Sequence, residues 1–331
     1  MTASAYERAG AGEFTLGLLL VRAGGTAGAT GVVLGEGEIQ SGRKVATMNK
    51  MARHTVTVWA NSNHNRCIRQ KTKMNQVSTH ELATWLDTTL QPQRFNDYCP
   101  NGLQVEGKRK VSHIITGVTA SQALLDEAAR RNADAILVHH GWFWKNEDPC
   151  VRGQKRKRLA TALQHELNLF AYHLPLDAHP TLGNNAQLGR MLDFEPDRDS
   201  DGSPITCGPG GLIWLGRCAT PMTLKELGQH VCNTLQREPL IVGNTQQMVQ
   251  RVAWCTGGAQ SMMQAAVDAG ASVYLTGEAS EPTFHLAQES GTSFIGAGHH
   301  ATERYGIKAL GEAVAAEFGI QVDFVDLDNP I

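Results

Sequence analysis

"VSHIITGVTASQALLDEAARRNADAILVHHGWFW", residues 111–144, reads as a strand, a helix and a second strand in immediate succession. Ile114 and Ile115 lie in the first strand, Gly117 makes a turn, and the helix runs from Ser121 to Arg131. The second strand, 135–138, is apolar at every position, the pattern of a parallel strand buried on both faces. A βαβ unit accounts for all three elements. Its last strand runs into a polar pair, His139 and His140, followed by Gly141.

The same plan recurs in "RVAWCTGGAQSMMQAAVDAGASVYLTGEAS", residues 251–280. In both copies a strand ends in Thr-Gly, an Ala-rich helix closes on Asn132 or Gly270, and an apolar strand follows. With a small difference in length, His139 and His140 correspond to Gly277 and Glu278. The recurrence predicts an α/β protein built on duplicated βαβ units.

Between the copies, "LNLFAYHLPLDAHPTLGNNAQLGRML" predicts a strand ending at His173, a Pro/Gly loop, and a helix from about Asn185. Residues 194–250 change character, with a loop-like start, the strand "LIWLGRC", the helix "TLKELGQHVCNTL" and the strand "PLIVG". We expect a small inserted α/β lobe there, and a metal-binding lobe or lobes made of 74–193 with 251–331. The chain closes with the strand-to-loop segment "TSFIGAGHH", the helix "IKALGEAVAAEFG" and the strand "IQVDFVDL".

Organised sequence begins at Met74. In "MNQVSTHELATWLDTTL", Ser78 precedes Glu81 by three residues, a capping box, and Leu82, Trp85, Leu86 and Leu90 follow at helical spacing. Residues 1–73 show no such periodicity and are rich in Gly and Ala or in polar and basic residues. They are expected to be a disordered extension, with Met74 as the true start; a functional basic tail is the alternative.

Composition narrows the function classes. The 331 residues are 41% hydrophobic with a net charge of −2. Residues 1–73 hold ten Lys and Arg against four Asp and Glu, so the remainder is net acidic, which disfavours nucleic acid as a partner. Seven cysteines without a C-x-x-C argue against a zinc ribbon and fit a reducing compartment. The early apolar run "LGLLLV" is too short to span a bilayer, and the protein is expected to be soluble and cytoplasmic.

In doubly wound α/β proteins, ligands collect at the carboxyl ends of parallel strands. Three such ends carry metal-capable side chains here: His139/His140, the segment His173–His179 with Asp177, and His299/His300 with Glu303. Singly, each has a plainer reading, as a polar strand terminus or an Asx turn. Three at equivalent strand ends argue for a common metal site. If the chain turns helical after His299, Glu303 lies on the same face, and His300 sits about 100° round. Consecutive strand residues point to opposite faces, so His139 and His140 suit two ions better than one. Imidazole mixed with carboxylate fits iron, manganese, cobalt or zinc. Paired ions make hydrolysis the natural chemistry. Glu278, at the matched strand end of the second copy, is a candidate general base or support for a ligand; a helix cap or surface carboxylate is the alternative.

Taken together, "YCPNGLQVEGK", "TGVTASQALLDEA", "ILVHHGWFWK", "HLPLDAHPTLGNNAQL", "VAWCTGGAQS", "YLTGEASEPTFHLA" and "GHHATERYG" resemble the Nif-three-like dinuclear metal proteins. The resemblance is greatest to the YbgI-type branch, the GTP cyclohydrolase 1 type 2 homologues, and runs from about Met74 to the C-terminus. It implies a two-lobed α/β fold assembled as a toroidal homohexamer, with two divalent metal ions per subunit facing the interior. The metal ligands it implies are His139, His140, Asp177, His299 and Glu303. The activity it implies is hydrolytic opening of a purine nucleotide ring, or work on damaged nucleotides.

The expected function is therefore a dinuclear metal-dependent hydrolase acting on a nucleotide-like small molecule or another cyclic amidine or amide, with Glu278 moving the proton. The competing class is a non-enzymatic hexameric metal-binding regulatory or interaction protein. Three further motifs stay open. "RGQKRKRL" (152–159) is a solvated helix face or a phosphate contact. Trp142 and Trp144 line the core or stack on a base. "TGGAQS" (256–261) presents backbone N–H groups to a phosphate or serves only as a turn.

Overall fold

The computed structural model describes residues 75–331; the extension expected over 1–73 and the start expected at Met74 lie outside the described residues. In chain order the first part comprises β1 (Val77–Ser78), α1 (Thr79–Leu90), β2 (Gly102–Val105), β3 (Lys110–Val111), β4 (His113–Thr119), α2 (Gln122–Arg130), β5 (Ala135–His140), α3 (Gly153–Gln164), β6 (Asn168–Ala171), α4 (Leu174–Ala178) and α5 (Asn184–Met191). There follow β7 (Phe194–Pro196), β8 (Thr206–Cys207), β9 (Ile213–Cys218), α6 (Leu224–Leu235), β10 (Leu240–Val242), β11 (Val252–Trp254), α7 (Met263–Asp268), β12 (Val273–Thr276), α8 (Glu281–Ser290), β13 (Ser293–Gly296), α9 (His299–Phe318) and β14 (Gln321–Phe324). No helix among the described residues is long and apolar enough to cross a membrane.

Helix α1 starts where its sequence dictates. Ser78 Oγ accepts from the Glu81 backbone N–H at 3.1 Å, and the Glu81 carboxylate accepts from the Ser78 N–H at 3.0 Å. This reciprocal cap turns Leu82, Leu86 and Leu90 into the core. Ser78→Ala should destabilise the fold by about 1 kcal/mol, read as a lower urea midpoint at unchanged slope.

The βαβ unit read from residues 111–144 is present as β4–α2–β5. Ser121 caps α2 by accepting from the Leu124 N–H at 3.3 Å. Strand β5 runs two residues beyond the expected Val138, so both histidines are strand residues. The first sheet has the order β14–β4–β5–β6–β2, with β14, β4, β5 and β6 parallel and β2 antiparallel at the edge.

The second copy lies in a second sheet, ordered β10–β13–β12–β11–β9–β7 with β8 on β9. Here β11, β12 and β13 are parallel. Residues 194–250, expected as an inserted lobe, contribute their strands to this same sheet. Strand β9 lies antiparallel along β11, pairing Gly216 with Val252, and β10 lies antiparallel along β13. A three-stranded parallel unit has unpaired N–H and C=O groups along both edges, and these strands cover them.

Helix α9 ties the two sheets together. Its Ile307, Leu310 and Val314 pack with Leu86, Ile114 and Leu137 in one core. Its Ala301 packs with Trp254 and Ile295 in the other. A side chain at Gly306 would come within 2.8 Å of the Asn184 backbone N, so α5 and α9 can touch there only through glycine. The N-terminus of α9 is thereby brought to the carboxyl ends of β5 and β12.

Candidate metal centre

The expected strand ends converge. His139 and His140 come from the end of β5, Asp177 from the short α4 after β6, and His299 and Glu303 from the first turns of α9. His139, Asp177 and Glu303 form one group of potential ligand atoms within 4.8 Å of one another, and His140, His299 and Glu303 form a second. Glu303 belongs to both. Its Oε1 lies 3.5 Å from His139 Nε2, while its Oε2 lies 3.3 Å from His140 Nε2 and 3.2 Å from His299 Nε2. The two strand histidines are divided between these two groups, but a third group holds both of them with His173. Their ring centroids are only 4.5 Å apart, so the strand end does not turn them to opposite faces as simple alternation predicts.

The outer nitrogens are held by oxygens. His139 Nδ1 is 3.0 Å from the Tyr172 carbonyl, His140 Nδ1 3.1 Å from Thr119 Oγ1, and His299 Nδ1 2.6 Å from Glu278 Oε1. A carbonyl can only accept, so Nδ1 of His139 carries a proton, and in the neutral imidazole the lone pair sits on Nε2, facing inward. Glu278 makes the same tautomer the favoured one at His299. Its other oxygen accepts from Gln260 Nε2 at 3.1 Å. Asp177 Oδ1 accepts from Asn184 Nδ2 at 2.8 Å and from Thr256 Oγ1 at 3.3 Å.

This donor set fits a divalent cation. Glu303 Oε2 is buried and makes no hydrogen bond with any described residue, although two imidazole nitrogens stand beside it. A buried carboxylate oxygen without a donor is costly. Imidazole lone pairs and carboxylate oxygens converging on one space are the ligands that first-row divalent metals take.

The charges are strongly interdependent. Burial works against protonation of His139, but the Asp177 and Glu303 carboxylates outweigh it and raise the imidazole to about 9. Burial likewise opposes protonation of His299, and Glu303 and Glu278 raise it to about 9. At His140 burial prevails and lowers it to about 3. Burial also raises Asp177, whereas Glu303, despite its burial, is held well below the usual carboxylate range by His140 and His139.

His300 points elsewhere, its Nε2 2.8 Å from Asp326 Oδ1. The basic run turns partly back on the loop before it, with Arg152 bonded to Asp148 at 2.8 Å and Lys155 to the Asp148 carbonyl at 2.9 Å. Trp142 is a core residue whose indole N–H donates to the Ala120 carbonyl at 2.8 Å. Three amides of "TGGAQS" are used internally, Thr256 N–H to Asn185 Oδ1, Gly257 N–H to Thr302 Oγ1 and Ala259 N–H to Thr276 Oγ1. That loop forms a wall of the centre, with Thr256 on Asp177.

Sequence reasoning did not single out Asp97, whose Oδ1 lies 2.7 Å from His173 Nδ1. Burial opposes its ionisation, but the His173 hydrogen bond and the surrounding donors lower Asp97 to about 2. Cys99 lies within reach of both, but burial and the Asp97 charge raise its thiol to about 12, which keeps it protonated. His173 itself carried a legible signal, since it precedes Asp177 by the same four residues that separate His299 from Glu303.

Comparison with known proteins agrees with this architecture. The family described as Duf34/NIF3 (NGG1p interacting factor 3) matches residues 77–330. A Pseudomonas aeruginosa protein named "GTP cyclohydrolase 1 type 2 homolog" is 53% identical over 255 residues, which cover 77% of this chain and 99% of that protein. A protein of the same name from Neisseria meningitidis serogroup B is 50% identical over 254 residues, again 77% and 99%. Among solved structures, the protein ybgI superposes with a TM-score of 0.73 at 48% identity, covering 77% of this chain and all of that one. A Thermus thermophilus protein superposes at 0.67 with 32% identity, covering 77% and 100%.

Proposed function

Because the chain belongs to the Duf34/NIF3 family, we propose that it is a dinuclear metal-dependent hydrolase acting on a nucleotide or another cyclic amidine or amide. The observation that carries this reading is the pair of ligand groups sharing Glu303, whose Oε2 is buried beside two imidazoles without a hydrogen bond. His139 and Asp177 would hold one ion, His140 and His299 the other, and Glu303 both. Bound there, two divalent ions supply Lewis acidity toward a substrate oxygen and toward water.

The chain's own groups do the rest. Tyr172, Thr119 and Glu278 fix three imidazole rings from outside. Glu278 holds the Nδ1 proton of His299, and its partly exposed carboxylate is the group we assign to taking up the proton released in hydrolysis. The nucleotide class follows from the relatives' name; the toroidal homohexamer implied by the resemblance and the cytoplasmic setting expected from the cysteine pattern belong to the same reading.

Turnover of a nucleotide panel by metal-loaded protein tests it. His139→Ala and Glu303→Ala should fall to background, and Glu278→Gln should lose about 10- to 100-fold. Equal rates in all four proteins would contradict hydrolysis at this centre. Absence of turnover by a fully metal-loaded wild type would favour the non-enzymatic alternative.

A further inference from the structure

Four imidazoles beside the centre share one arrangement, with Nδ1 of each against an oxygen. Three are His139, His140 and His299, the candidate ligands described above. The fourth is His173, held at 2.7 Å by Asp97 Oδ1. It is absent from the five ligands implied by the resemblance, yet a ring nitrogen of His173 lies within 4.8 Å of ring nitrogens of both His139 and His140. The ring centroids are 5.0 and 5.6 Å apart. Since Nδ1 is committed to Asp97, Nε2 is the nitrogen left over, and it makes no hydrogen bond with any described residue.

The surroundings of His173 are built to fix that ring. Asp97 Oδ1 also accepts from the Tyr98 N–H at 2.6 Å, and its Oδ2 accepts from the Leu174 N–H and from Asn101 Nδ2, each at 2.9 Å. Asn101 Oδ1 in turn accepts from the His173 backbone N–H at 2.7 Å. Trp144 packs edge-on against the imidazole at 5.0 Å. A buried carboxylate pinned by three donors and aimed at the outer nitrogen of a histidine is the arrangement that orients metal-binding imidazoles. Glu278 faces His299 Nδ1 in a similar way, though it is partly exposed and has Gln260 Nε2 as its one other donor.

We propose that His173 is a further imidazole ligand, through Nε2, for a divalent ion held beside His139 and His140, with Asp97 as its positioning residue. The proposal rests on the metal-centre reading above and adds a ligand to it.

Cobalt(II) is the probe, because its visible absorption reports the number and kind of its ligands. The wild type, His173→Ala, His173→Gln, Asp97→Asn and, as reference, His140→Ala are loaded with it. Spectra are recorded, and affinities are measured by chelator competition. Both His173 variants should show an altered visible band and bind at least one ion about tenfold or more weakly. Asp97→Asn should change in the same direction, by about 10- to 100-fold. His173→Gln keeps an amide able to donate to Asp97, so a folding defect in the alanine variant leaves the test intact. Wild-type spectra and affinities in His173→Gln and Asp97→Asn, alongside loss in His140→Ala, would overturn the proposal and leave the centre standing. A wild type that takes up no cobalt would overturn both.

Discussion

The Glu303→Ala protein is expected to retain no tightly bound divalent metal, whereas Asp177→Asn should lose tight binding in one half of the centre only. Glu303 is common to both ligand groups, with one carboxylate oxygen toward each. Its removal leaves His139, His140 and His299 with Asp177 as the one remaining carboxylate of the five candidate ligands, set beside His139 at 3.5 Å. Metal content after dialysis against a weak chelator reads the difference directly. A second readout is thermal. A ligand at a hundredfold excess over its dissociation constant stabilises the native state by about 2.7 kcal/mol, so added metal should raise the wild-type melting temperature and leave that of Glu303→Ala in place.

The second large effect is expected at Gly257, a residue that binds nothing. Gly257 has φ of 68°, in the left-handed region, and a Cβ there would fall on Glu303 Oε1 and lie 3.1 Å from His299 Nε2. The backbone cannot easily withdraw. Its N–H donates to Thr302 Oγ1 at 3.0 Å, and its carbonyl accepts from the Gly277 N–H at 2.8 Å and from Thr276 Oγ1 at 3.0 Å. Gly257→Ala should therefore destabilise the fold by about 1–3 kcal/mol and displace Glu303, abolishing metal uptake. Gly270 separates the two causes. It also has a positive φ, 74°, but nothing lies within 4 Å of its Cβ position. Gly270→Ala should show the backbone cost alone, about 1–2 kcal/mol, with metal uptake retained. Urea midpoints and metal content of the two variants, side by side, check both statements.

Local rules explain what the sequence made legible. The continuous apolar run 135–138 could only be a strand buried on both faces, and Ser78 with Glu81 announced a helix start that the structure realises as a reciprocal cap. The four-residue spacing of His299 and Glu303 placed both on one face of α9. The partners of short strands were not legible. Leu240–Val242 has three residues, too few to specify a pairing, and Phe194–Pro196, expected as part of a loop, is an equally short strand; both lie in the second sheet. Asp97 was invisible because its partner His173 is 76 residues away and loop aspartates ordinarily cap turns. The loop 256–261 was read for its backbone N–H groups, and packing against Thr276 and Thr302 claims two of them.

In the proposed centre both halves depend on one shared carboxylate, so metal content per chain is the most direct measure of it. Elemental analysis of the natively purified protein and of Glu303→Ala should give about two divalent ions per chain in the former and none tightly held in the latter. Fewer than about one ion per chain in the native protein, or an unchanged content in the variant, would contradict a two-ion centre built on Glu303.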